Sequence, residues 1–102
     1  MKKYKLKFKP DMGEALIQVI NRLLEKQHES DDDKLVMAGL AEIKVRLYKK
    51  LAVHQQEYTI SLTPVQALSF RIMQTDFVTN HKTQIGNYLL LASNAIAKTY
   101  AI

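Results

Sequence analysis

Lys3-Tyr4-Lys5-Leu6-Lys7-Phe8-Lys9-Pro10 is the stretch that decides the fold. Lysines take the odd positions, and Tyr4, Leu6 and Phe8 take the even ones between them. A period of two places successive side chains on opposite faces of a strand, so the apolar trio predicts a core face and the lysines a solvated one. Pro10 ends the alternation, because it brings no N–H to a strand ladder. Asp11 followed by Glu14 has the form of a capping box for a helix over residues 11–27. Met12, Leu16, Val19, Ile20, Leu23 and Leu24 recur there at helical spacing.

Residues 28–33 form a polar break. Ser30, Asp31, Asp32 and Asp33 suit the start of a second helix, where oxygens accept from free amides and oppose the positive end of the helix dipole. Val36, Leu40, Ile43, Leu47 and Leu51 give that helix its apolar stripe, and Glu42 and Arg46 stand four residues apart for an ion pair on the opposite face.

The pattern then restarts. Residues 57–62 alternate, with Tyr58, Ile60 and Leu62 against Thr59 and Ser61. Thr63-Pro64-Val65-Gln66 is a stronger helix start: a threonine cap, proline at the first helical position and glutamine at the third. A helix is predicted from there to residue 78. Thr79 and Asn80 offer caps for a last helix whose stripe is Ile85, Leu89, Ala92, Ile96 and Tyr100.

Tyr4-x-Leu6-x-Phe8-x-Pro10 aligns with Tyr58-x-Ile60-x-Leu62-x-Pro64, and Ala15-Leu16 with Ala67-Leu68. Val36, Leu40, Leu47 and Leu51 align with Ile85, Leu89, Ile96 and Tyr100. The expectation is one domain over residues 1–102, built of two strand–helix–helix units (1–53 and 54–102) that read as an internal duplication. A strand up, a helix down and a helix up leave the second strand running down, so the two strands pair antiparallel. Such a ribbon is marginal by itself and needs helices over its apolar face. The predicted class is therefore α+β and predominantly helical, a two-stranded antiparallel sheet covered by four helices. A helical bundle with the first strand added at an edge is the competing architecture.

Composition bounds the function. The chain has 102 residues, 47% of them hydrophobic and 25% charged, which excludes wholesale disorder. It has no cysteine, so disulfides, thiolate metal sites and cysteine nucleophiles are excluded. Residues 1–52 carry twelve Lys/Arg and eight Asp/Glu, whereas residues 53–102 carry three and two. The opening residues lack the apolar block of a secretory signal, and residues 85–102 are interrupted by Asn87, Ser93, Asn94, Lys98 and Thr99. The expected address is the cytoplasm, with no membrane partner.

Few residues promise catalysis. His28, His54 and His81 share no metal or catalytic spacing and sit at element ends. Asp31, Asp32 and Asp33 are consecutive, so their side chains splay rather than converge on a cation, and they lack the alternation and glycine of a calcium loop. Ser69, Ser93 and Thr99 have no base at a useful spacing. No enzyme, metal or cofactor is expected.

Two binding surfaces are expected instead. Lys3, Lys5, Lys7 and Lys9 repeat about every 7 Å along a strand, and Arg46, Lys49 and Lys50 share a helix face that extends the patch towards a polyanion. Lysines on a solvated strand also keep an open ribbon from pairing with another chain. On the third helix, Val65, Leu68 and Ile72 form one stripe and Phe70, Met73 and Phe77 a second. One of the two must meet something beyond the helix's own core contact, and Phe70, Met73 and Phe77 are assigned to an interface. The last helix is also apolar outside its stripe, at Leu90, Leu91, Ala95 and Ala97. The leading expectation is a non-enzymatic interaction module that forms a homodimer and binds another protein. The alternative is a nucleic-acid-binding or regulatory protein that uses the seven basic residues.

Overall fold

The computed structural model describes residues 3–77 and 83–100, with the main chain alone at 76 and 77. Its elements run β1 (Tyr4–Phe8), α1 (Pro10–Glu25), α2 (Asp31–Leu51), β2 (Tyr58–Leu62), α3 (Pro64–Ile72) and α4 (Gln84–Tyr100). The two strands form an antiparallel ribbon in the register Tyr4–Leu62, Lys5–Ser61, Leu6–Ile60, Lys7–Thr59 and Phe8–Tyr58. The fold is α+β and predominantly helical, as the alternation and the caps require.

That register is symmetric about Leu6–Ile60. Under the 54-residue offset that aligns Tyr4 with Tyr58, each pair on one side of Leu6–Ile60 maps onto its counterpart on the other. The helices do not keep the match: α1 has 16 residues and α3 has 9. The internal duplication is therefore not confirmed.

One face of the ribbon is core. Leu6, Phe8, Tyr58, Ile60 and Leu62 are buried beneath the helices, and the Phe8 and Tyr58 rings stack with centroids 5.5 Å apart. Removing such surface from water is the main stabilising term, on the order of 1.5–3 kcal/mol per large side chain. Leu16 and Ile20 of α1, Leu40, Ile43 and Leu47 of α2, and Leu89 and Ile96 of α4 complete the core.

Helix starts follow local chemistry, with one correction. Pro10 is itself the first residue of α1; Lys9 is the cap position, and it makes no side-chain cap bond. Proline's fixed φ suits a first helical turn, so the cap falls at Lys9, two residues before the expected Asp11. Asp11 sits within the first turn instead of capping it. Ser30 caps α2 as expected, its Oγ accepting from the Asp33 N–H at 3.0 Å. Thr63 and Gln66 close a full capping box on α3, at 3.2 Å in each direction. For α4 the capping hydroxyl is that of Thr83, which accepts from the Gly86 N–H at 3.0 Å. The proposed caps Thr79 and Asn80, like His81, lie outside the described residues.

The third helix does not run regularly to residue 78. It is α-helical to Ile72 and then widens into a π turn over Met73–Phe77. Against it, α2 crosses closely at Gly39: a Cβ there would stand 2.8 Å from Ser69 Cβ and in collision with Ser69 Oγ. Glycine at 39 is thus a packing requirement.

Candidate polyanion-binding face

The outer side of the ribbon is the counterpart of the core face. Lys3, Lys5, Lys7 and Lys9 are all exposed there. The register sets Lys5 opposite Ser61 and Lys7 opposite Thr59, so the ammonium groups face hydroxyls rather than carboxylates across the strands. Opposite charges across a pair would be the stabilising choice, and this face does not use it. Glu57 flanks the last strand pair at one end of the face.

Arg46, Lys49 and Lys50 lie at i, i+3 and i+4 on the last turns of α2, and with Val53, Gln55 and Ile60 they line a groove of about 410 Å³ at the β2 side of the ribbon. Among the described residues, no carboxylate lines that groove. The three cations differ in freedom, however. Lys49 and Lys50 are exposed, and their charges also favour the helix C-terminus. Arg46 is half-buried: its Nη1 donates to the Ser61 carbonyl and, at 2.9 Å, to Gln66 Oε1. Gln66 Nε2 in turn donates to Glu42 Oε2 at 3.1 Å. The expected pairing of Glu42 with Arg46 is thus made through the Gln66 amide, and it points to the β2–α3 junction rather than to the open face.

A second groove, of about 610 Å³, opens at the other end of the lysine row. Its apolar lining is Phe8, Met12, Ala15 and Ile85, and its polar rim includes Asp11, Glu57 and Gln84. Lys7 and Lys9 line it as well, so the row runs directly into it. The Tyr88 ring forms a further wall, held in place by its hydroxyl, which donates to the Lys7 carbonyl at 2.8 Å. Burial, and then the neighbouring Tyr4 phenol, raise the Tyr88 pKa well above its ordinary value; burial alone raises that of Tyr4. The Tyr88 phenol thus stays protonated at physiological pH and keeps its bond to Lys7.

For Phe70 and Met73 the interface assignment does not hold. Phe70 and Met73 are each 0% exposed within the single chain, so they belong to its own core. Phe70 is the bulkiest fully buried side chain, and burying it removes more apolar surface than burying Val65 or Leu68 would. The Phe77 side chain lies outside the described residues. Outward on α3 stand Val65, 59% exposed, and Leu68, 40%, while Leu35 on α2 is 67% exposed.

The remaining candidates have structural tasks. A His28 ring nitrogen, Nε2, donates to the Leu23 carbonyl at 2.7 Å, closing the end of α1. His54 is exposed. Thr99 donates to the Ala95 carbonyl one turn back at 2.8 Å. Among the described residues, no three His, Asp or Glu side chains converge to hold a metal ion. No helix among them is long and apolar enough to cross a membrane.

Sequence reading missed Tyr88, Glu57, Asp11 and Gln84 as a group. Their one local signal is the spacing of Gln84, Ile85 and Tyr88 on a helix turn; nothing in the sequence brings that turn to Lys7. Comparison with protein families, curated proteins and solved structures returns no match.

Proposed function

We propose that this chain is a small non-enzymatic module that binds the phosphate backbone of nucleic acid through the lysine face of its ribbon. The observation that carries the reading is the register, which leaves Lys5 and Lys7 opposite Ser61 and Thr59 with no carboxylate between them. Like charges in a row weaken a fold unless something neutralises them, and a line of phosphates does so while releasing its own counterions. Lys3 and Lys9 lengthen the row, and Lys49 and Lys50 supply charge beside the β2 edge.

The test is a salt titration of binding to mixed-sequence oligonucleotides, comparing wild type with a variant in which Lys3, Lys5, Lys7 and Lys9 are all changed to Gln. Four contacts to a single strand give a log–log salt slope of about −3, or roughly fifty-fold weaker binding between about 50 and about 200 mM salt. The variant should bind far more weakly and with a flatter slope. Equal affinity and equal slope in the two proteins would overturn the reading.

A second reading, self-association, is favoured by Leu35, Val65 and Leu68, which stand exposed on two neighbouring helices. It predicts a mass in light scattering that rises with concentration and falls to that of one chain in Val65→Glu/Leu68→Glu. A single-chain mass at all concentrations would end it.

A further inference from the structure

We infer that the 610 Å³ groove beside Lys7 and Lys9 receives an unpaired nucleobase, so that the ligand of the lysine face is single-stranded rather than duplex nucleic acid. This rests on the reading just given and extends it from the backbone to the bases.

Three observations converge on it. First, the two surfaces share residues: Lys7 and Lys9 belong to the exposed row and also line the groove, so a strand held by the row is delivered to the groove's mouth. Second, the groove has the two parts a base requires. Met12, Ala15 and Ile85 offer an apolar bed, and the ring of Tyr88 is fixed as a wall by its bond to the Lys7 carbonyl. A ring already held in position loses little freedom when a base packs on it, and such contacts accept any base with an open face.

Third, the groove's carboxylates sort the parts of the ligand. Asp11 and Glu57 stand on its rim beside the two lysines. Carboxylates repel phosphate, which would be a defect in a site for backbone, but they accept hydrogen bonds from exocyclic amino groups of bases. The arrangement keeps phosphates on the lysine row and turns bases inward. In a duplex those base edges are already paired and stacked, so only a single strand can splay one into the groove.

Amino-group recognition also sets a preference. Cytosine presents an N4 amino donor and thymine a carbonyl in its place, so Asp11 and Glu57 favour cytosine.

The test uses the full chain and fluorescence anisotropy with oligo-dC, oligo-dT and a mixed duplex of the same length. The expected order is oligo-dC, then oligo-dT, then duplex, with single strand about tenfold or more above duplex. In Asp11→Ala/Glu57→Ala, both exposed positions, the dC-over-dT difference should vanish while the salt slope stays. If single strand and duplex bind alike and the lysine variant still loses both, the groove inference fails and the backbone reading stands. A carboxylate variant that binds all three probes more tightly by one common factor also overturns it, because the acids then act only by repulsion. Absence of binding to any of the probes by wild type would sink both.

Discussion

The two edges of the ribbon are closed at matching places by different chemistry. On the β2 side Arg46 of α2 donates to the Ser61 carbonyl, and on the β1 side Tyr88 of α4 donates to the Lys7 carbonyl. Ser61 is the residue that the 54-residue offset aligns with Lys7, so α2 and α4 reach carbonyls at corresponding places on the two strands. Behind Arg46 stands a network: Gln66 accepts from it, donates to Glu42 and closes the capping box of α3. Both residues also line a groove, of about 610 Å³ at Tyr88 and about 410 Å³ at Arg46. An edge carbonyl is an invitation to another strand, and both edges decline it. The difference shows how one task can be met by a cation braced by a side-chain network and by a phenol held through its own hydroxyl, with a groove beside each.

The comparison breaks hardest at Gln66. Gln66→Leu removes the acceptor for Arg46, the donor to Glu42 and half of the Thr63 capping box, and it leaves a half-buried guanidinium short of a partner. A loss of about 2–3 kcal/mol in urea unfolding is expected. Tyr88→Phe keeps the ring and drops one bond, so about 1 kcal/mol is expected. Equal losses from the two substitutions would mean that the network behind Arg46 adds nothing.

Alkaline pH separates the two edges, because the group that closes the β1 edge, the Tyr88 hydroxyl, is a phenol with a raised pKa, whereas Arg46 closes the other. Burial holds the folded phenol's pKa above its ordinary 10.0, so the unfolded chain sheds that proton first. Its contribution is complete below pH 10.0 and is lost as pH climbs towards the higher folded value. Wild type should therefore lose stability above that pH more steeply than Tyr88→Phe, measured by urea unfolding across the alkaline range. Parallel curves would show that the buried phenol does not couple to folding.

What could be read from the chain was local in origin. Alternation at Tyr4, Leu6 and Phe8 and again at Tyr58, Ile60 and Leu62 gave both strands, and the order of elements gave their antiparallel pairing. Thr63, Pro64 and Gln66 announced α3 because all three act within one turn. Asp11 misled by two positions because a capping pattern and a proline at N1 competed for the same start. The two stripes of α3 were both visible and bulk favours Phe70 for the core, but which stripe is buried is decided by packing against the other helices. The π turn at Met73–Phe77 also left no sign in the spacing. The basic residues of the candidate site were legible in full, whereas its groove was not, because Tyr88 meets Lys7 across 81 residues of chain.

The register carries a consequence in time. Leu6 pairs with Ile60, so the first strand emerges from the ribosome 54 residues ahead of its partner. At ordinary synthesis rates of about 5–20 residues per second, that interval lasts about 3–10 s. During it, the α1–α2 hairpin is the one nearby shelter for Leu6 and Phe8, since its helices are neighbours in sequence and can fold without waiting. The lysines then guard a half-made sheet. Lysines alternating with Leu6 and Phe8 make that waiting strand a poor partner for another strand that comes into contact with it, so the row of charge has a use before the finished molecule exists.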